Sequence, residues 1–285
     1  MAMRKKEYDT IIYEAGAVTK ITHNEPEKRN PLTGHFILEL ADALNRLERD
    51  KEAAVGVFGA TGKVFCAGHN LAFVSKMDDW KAGERKILEE KDWREQMDFM
   101  RDNLYFRLWD CKKPIIAAVQ GNAYAGGAEI VLMCDIVVAA KEAVFNYGIF
   151  RTSGAGSANL LPFFVGFKKA AEVYLTGGEI SALELERMGA VNKVVPASDV
   201  EEEAIRYAQI ISQMPQETVK LAKQSLKVSL NRMGCRDAIW FGCETNILGH
   251  LNYSPREREF YTILKEKGMK AAIEFRDRPF KALGG

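Results

Sequence analysis

The stretch "PIIAAVQGNAYAGGAEIVLMCDIVVAA", Pro114 to Ala140, decides how this 285-residue chain folds. It opens on a short apolar run, Ile115 to Val119, that reads as a buried strand. Gly126 and Gly127 then start a second apolar run, read as a helix, and Ile136 to Ala140 reads as another strand. Strand, helix, strand in that order argues for a βαβ unit and a largely parallel sheet. One residue does not suit a core. Glu129 stands two residues past the glycine pair, and burying an ionised carboxylate without partners is expensive. Two readings of this stretch stand side by side. Glu129 is either on the first solvated turn of a surface helix, or an acid/base held beside a backbone-lined hole.

The same order extends in both directions. Upstream, "DTIIYEAGAVTKITHN" alternates polar and apolar residues and predicts two short strands turned at Gly16. "GHFILELADALNRLERD" places Ile37, Leu40, Ala41, Leu44 and Leu47 on one helical stripe. "AAVGVFGA" is then a short buried strand leading into "KVFCAGHNL". Downstream, "SANLLPFFVGFKKAAEVYLTG" predicts a helix around Pro162 that closes at Gly177, and "AVNKVVP" predicts one more strand. The charged stretch "MDDWKAGERKILEEKDWREQMDFMRDNLYFR" is helical in pattern. Its Trp, Met and Phe residues are read as core rather than as a cofactor box.

After Pro196 no strand pattern remains. "SDVEEEAIRYAQIISQM" carries a capping-box pattern, Ser198 with Glu201, ahead of a stripe of Val200, Ala204, Tyr207, Ala208 and Ile211. Pro215 breaks that helix and another follows. "SPREREFYTILKEKG" offers Ser254 as N-cap, Pro255 at the first helical position and Gly268 at the stop. The chain is thus expected to divide into an α/β body over residues 1–197 and a helical region over 198–285.

Bulk properties narrow the function. Forty Lys and Arg against 39 Asp and Glu leave a formal net charge of +1, without the concentrated basic face that nucleic acid requires. The five cysteines are odd in number, scattered and free of C-x-x-C spacing. This argues against a disulfide framework or a zinc site and suits a reducing cytosol. The four histidines lie far apart along the chain, so no metal site is expected. The N-terminal residues lack the pattern of a cleaved leader, and no run reaches the roughly 18 apolar residues of a membrane span. The expectation is a soluble, cytoplasmic protein with neither nucleic-acid nor membrane partner.

Four blocks, taken in order, now read together: "NEPEKRNPLTGHFILELADAL", "VFCAGHNL", the opening stretch, and "GAGSANLLPFFVGFKKAAEVYLTGGEISALELERMGAVNKVVP". Over nearly the whole chain they resemble the enoyl-CoA hydratase/isomerase (crotonase) superfamily. The resemblance implies an α/β fold, a crotonase-like spiral of ββα repeats with a C-terminal helical trimerisation region. It implies an acyl-CoA thioester as substrate, no separate cofactor, and self-association as a trimer or a dimer of trimers. By the same resemblance the backbone N–H groups of His69 and Gly126 form an oxyanion hole, and Glu129 is the acid/base. Ala67, Gly68, Asn70, Leu71 and Gly127 flank that hole. Arg29 and Asn30 sit where the family has its CoA-binding segment, and Arg276 is a basic residue of the tail within reach of CoA. The His69 imidazole is expected only to pack or to face solvent.

Chemistry explains this set of residues. A thioester acidifies its α-carbon only if the enolate oxygen is stabilised, and each backbone donor in a comparable hole is worth roughly 2.7–4 kcal/mol of barrier. A desolvated carboxyl near neutrality in pKa suits proton exchange with carbon or water.

The pattern breaks at one place. Two-acid hydratases of this family carry a second Glu four residues after a Phe; here Ile149 stands four after Phe145, and no carboxylate occurs between Glu142 and Glu172. Tyr147 is the nearest candidate to help with a proton, followed by Thr152 and Ser153. An enoyl-CoA hydratase-type lyase is the leading expectation. The alternatives are a one-acid double-bond isomerase, and a C–C hydrolase or decarboxylase acting on a bulky or cyclic acyl-CoA. A non-catalytic acyl-CoA-binding trimer is the remaining one, and the retained Glu129 and glycines speak against it.

Overall fold

A computed structural model describes residues 6–69, 90–152, 156–251, 254–281 and 283. Asn70, Leu71 and Ser153, expected near the site, and the first part of the charged stretch lie outside the described residues.

The strands form two sheets. The larger runs β1-β2-β3-β4-β6-β8-β11, where β1 is Lys6–Glu7, β2 Ile11–Glu14, β3 Val18–His23 and β4 Val55–Ala60; β6 is Ile115–Val119, β8 Ile136–Ala140 and β11 Lys193–Val195. The first three are antiparallel, and from β3 to β11 every pairing is parallel. The smaller sheet runs β10-β9-β7-β5, with β5 at Val64–Cys66, β7 at Asn122–Tyr124, β9 at Val144–Asn146 and β10 at Glu179–Ser181. Each passage of the chain therefore leaves one strand in the large sheet and the next in the small one before crossing over. This is the ββα spiral that the resemblance implied.

Burial follows the patterning. All five residues of β6 are buried, as a parallel strand covered on both faces requires, whereas β2 and β3 alternate buried and half-buried. Helix α1 (Gly34–Arg49), capped by the Thr33 hydroxyl accepting from the Phe36 N–H, buries Phe36, Ile37, Leu40, Leu44 and Leu47. Each such side chain contributes about 1.5–3 kcal/mol of burial free energy.

Helix α2 (Glu90–Met100) buries Trp93, Met97 and Met100, the core role expected of them. The next five residues, Arg101–Tyr105, form a π-helical turn before α3 (Phe106–Trp109). Helix α4 (Gly126–Met133) is buried along its whole length.

Where one helix was expected around Pro162, the chain makes two. Helices α5 (Leu161–Val165) and α6 (Phe167–Thr176) are divided at Gly166, whose φ of 79° and ψ of 158° cannot continue a helix. Gly177 ends α6 in the left-handed conformation, as expected.

The capping box expected at Ser198 is not made. A 3-10 turn, Ala197–Asp199, precedes α8 (Val200–Ser212), and the Ser198 hydroxyl donates to Asp199 instead. The helix starts with Asp199 at its cap position, one residue past Ser198, and Glu201 pairs with Lys20 on β3, 2.5 Å away. Reciprocal boxes occur at Ser181 with Glu184, opening α7 (Ala182–Met188), and at Ser254 with Glu257.

Val200, Ala204 and Ala208 of α8 are buried and belong to the same core as the sheet. Helices α9 (Gln216–Arg232) and α10 (Cys235–Leu251) follow, and Cys235, Ile239, Cys243 and Ile247 join that core. Asn231 of α9 accepts from the Trp109 indole at 2.8 Å. Helix α11 (Pro255–Lys281) changes direction at Gly268, where a stop was expected, and resumes beyond it. Among the described residues no strand follows β11, and no helix is long and apolar enough to cross a membrane. All five cysteines are free and buried.

Candidate active site

Two chain segments meet where β7 runs into α4. Ala125, between them, holds φ 48° and ψ −117°, a conformation that normally selects glycine and costs a non-glycine residue about 1–3 kcal/mol. The Asn146 carbonyl pins its N–H at 2.8 Å. Strain of this kind accumulates where a turn must present a group accurately. The group here is the Gly126 N–H at the start of α4. It has no acceptor among the described residues, and neither has the His69 N–H on the facing segment. The two elements pack closely, since a Cβ on Gly127 would stand 2.7 Å from the Cys66 Cβ. A pair of unsatisfied backbone donors beside a helix N-terminus favours developing negative charge.

The "PEKRN" loop is stitched along the same edge. Ala67 N–H donates to the Arg29 carbonyl and Leu32 N–H to the Gly68 carbonyl, at 3.0 and 2.9 Å. Arg29 and Asn30 both have positive φ, 66° and 52°. Arg29 is exposed and forms no ion pair among the described residues. Asn30 is fully buried; its amide donates to the carbonyls of Thr61 and Val64 and accepts from the Glu25 N–H. Its side-chain capacity is spent on bracing the loop, so any ligand contact would fall to its backbone.

Glu129 lies one turn into α4 and is 3% exposed, which rules out the solvated-turn reading. Its surroundings are polar only where they touch it. The Ser157 and Ala158 backbone N–H groups bear on the carboxylate and favour its ionised form, and the Tyr105 hydroxyl donates to Oε2 at 3.3 Å. Burial pushes its pKa up to about 7, and these hydrogen bonds keep it from rising further. A Cβ on Gly156 would come within 2.7 Å of Oε1, so the carboxylate faces that glycine.

The expectation for the His69 imidazole is overturned. The ring turns inward and its Nε2 lies 2.9 Å from the Tyr105 oxygen, so His69, Tyr105 and Glu129 are joined in one chain. Burial lowers the His69 pKa to about 4, which leaves the ring neutral. Tyr105 escaped sequence reading because it looked like one more aromatic on an apolar stripe. Its position depends on the π-helical turn, for which the sequence carries no readable signal.

Tyr147, the candidate nearest the missing acid, is brought to the site. It is buried, its hydroxyl has no partner among the described residues, and its ring centroid is 5.1 Å from that of Tyr174. Burial, Tyr174 and Glu129 all hold its phenol well above the ordinary pKa. Thr152 is not available, since its hydroxyl donates to the Ile149 carbonyl.

Arg276 packs over Gly148 and is paired with Asp277 at 2.8 Å. Asp9, His35 and Glu39 gather at the surface with ligand atoms within 4.8 Å of one another. Glu39 there accepts from the Asp9 and Thr10 N–H groups, a structural clip for the first strands. A cleft of about 270 Å³ beside Lys20, Gln120 and Glu201 is also remote in its lining from Glu129, and its two charges neutralise each other.

The enoyl-CoA hydratase/isomerase family model matches residues 13–280. A putative enoyl-CoA hydratase of Thermus thermophilus is 34% identical over 79% of this chain and 85% of its own. A probable enoyl-CoA hydratase of Mycobacterium bovis is 30% identical over 96% and 98%. Among solved structures, an enoyl-CoA hydratase/isomerase from Xanthobacter autotrophicus Py2 superposes with a TM-score of 0.86 at 30% identity, covering 96% of this chain and 99% of that one.

Proposed function

The chain belongs to the enoyl-CoA hydratase/isomerase family, and from that premise we propose that it is an enoyl-CoA hydratase-type lyase acting on an acyl-CoA thioester. The observation that carries this reading is the pairing of two N–H groups without an acceptor among the described residues, His69 and Gly126, with a buried carboxylate of pKa about 7 on the same helix start. The thioester oxygen accepts from both donors. Water adds its oxygen to the β-carbon and gives one proton to Glu129, which returns it to the α-carbon, so the net change is one water gained. Arg29, exposed beside the hole, meets a phosphate of CoA.

A second reading has its own support: no carboxylate stands near Glu129 among the described residues. One acid suffices to move a proton between two carbons, as a double-bond isomerase does. Both readings put developing negative charge on the thioester oxygen in the same hole.

Incubating the protein with a panel of straight-chain and cyclic enoyl-CoA thioesters separates them. Hydration adds the mass of water; isomerisation leaves the mass and shifts the absorption spectrum. Absence of both, together with no calorimetric heat from any acyl-CoA at millimolar concentration, would rule out catalysis on these substrates.

We further infer self-association through the helical region. Leu221, Leu226, Trp240, Phe241 and Leu248 are exposed there in the single chain, an apolar surface that a partner copy would cover. Sedimentation is expected to show a trimer or a dimer of trimers, and a stable monomer at micromolar concentration would refute this.

A further inference from the structure

We propose that Tyr105 is a positioning residue: it donates to Glu129 Oε2 while accepting from a His69 Nε2–H, and so holds Glu129 as an aimed, ionised base. The role rests on Glu129 being the acid/base of the proposed reaction.

The polarity of the chain follows from counting hydrogens. A phenol has one hydrogen and two lone pairs, and an ionised carboxylate can only accept. Tyr105 is fully buried between Glu129 Oε2 at 3.3 Å and His69 Nε2 at 2.9 Å, with the Ser157 side chain also against its hydroxyl. If Nε2 were bare, it would take the only phenolic hydrogen, and the phenol oxygen would face the carboxylate with a lone pair. With Nε2 protonated, every group is satisfied and Glu129 receives the hydrogen. The contact to Oε2 is long for an O–H···O bond, as catalytic contacts often are before substrate binds.

Among the described residues no formal charge competes. Tyr147, Tyr174 and Cys243 all face Glu129 from other elements, and burial keeps each uncharged near neutrality, the Cys243 thiol pushed up to about 12. His250, which bears on His69, is itself lowered to about 4 by burial. Tyr105 and the Ser157 and Ala158 N–H groups are therefore what stabilises the carboxylate. The ring of His69 is held over α4, since a Cβ on Gly126 would lie 2.6 Å from Nε2. A lone acid must accept a proton and then surrender it to carbon. A donor that favours its ionised form readies the base, and it equally makes the protonated form a stronger acid.

Infrared difference titration of the carboxyl band, assigned by its loss in Glu129→Gln, reads Glu129 directly and needs no turnover. In Tyr105→Phe the Glu129 midpoint is expected to move upward by roughly one pH unit, the size of a lost hydrogen bond to a charged group. A midpoint that stays put or falls would overturn the proposal. Nitrogen-15 spectra of the unaltered protein are expected to show His69 protonated on Nε2. The Nδ1–H tautomer would overturn it even if Tyr105→Phe failed to fold. Turnover of the thioester panel with an unmoved midpoint removes the role of Tyr105 alone. A raised midpoint without turnover removes the acyl-CoA reading alone.

Discussion

Glu129→Gln is expected to lower kcat by about 10²–10⁴-fold, the range of a lost general acid/base, while acyl-CoA affinity stays within a few-fold of wild type. Affinity survives because the oxyanion donors are backbone groups of His69 and Gly126, which the substitution leaves alone. Both kcat and kcat/KM should fall together, marking an interaction made in the transition state. In the unaltered enzyme kcat/KM should rise with pH through a midpoint near 7, where Glu129 of the free enzyme ionises, and that limb should vanish in the variant.

Stability should move the other way. The folded pKa of Glu129 is raised to about 7 from an ordinary 4.5, so the folded state binds this proton more tightly than the unfolded state does. Its contribution is fully present below about pH 4.5 and is lost as pH rises through 7. Above neutrality the wild type carries a desolvated carboxylate that the neutral amide replaces. Glu129→Gln should then match or exceed the wild-type Tm at pH 8. Near-wild-type turnover in the variant would make the carboxylate structural and sink the assignment.

Much of the fold was legible because its signals are local. A strand covered on both faces must be apolar throughout, and β6 and β8 read that way; a strand with one wet face must alternate, as β2 and β3 do. The α1 stripe and the left-handed cap at Gly177 likewise need nothing beyond neighbours in sequence. What failed was set at long range. At Ser198 the 3-10 turn moves the cap to Asp199, and Glu201 pairs instead with Lys20 on a strand far upstream.

The site divides along the same line. Glu129 stood out as a charge in an apolar run, and the hole donors follow from glycine placement and resemblance. Tyr105 acquires its role only because a π-helical turn carries its hydroxyl to a carboxylate 24 residues on. The inward turn of the His69 ring depends on the same meeting. The pairing of Arg276 with Asp277 and its packing over Gly148 are likewise legible only in the structure.

Gly68→Ala should be nearly as damaging as loss of the acid, for a geometric reason. Gly68 has φ +80°, which costs an L-residue roughly 1–2 kcal/mol. An added Cβ would also stand 2.6 Å from the Tyr124 carbonyl oxygen and 3.3 Å from the Ala125 Cβ. Those atoms belong to the β7 backbone and the strained turn, which cannot swing aside as a long side chain would. The segment carrying His69 must therefore retreat from the turn carrying Gly126, and the two N–H donors can no longer converge on one oxygen. Turnover is expected to drop about 10²–10³-fold, the cost of one oxyanion donor, with Glu129 and its hydrogen bonds chemically intact. Gly34→Ala is the control. It lies at the start of α1 with nothing within 4 Å of an added Cβ, so neither Tm nor kcat should suffer. Calorimetry fixes how much of the Gly68→Ala variant is folded at the assay temperature, and kcat is then expressed per folded molecule. Full activity per folded molecule would show that the enolate oxygen does not depend on the His69 N–H, and the oxyanion hole would have to be sought elsewhere.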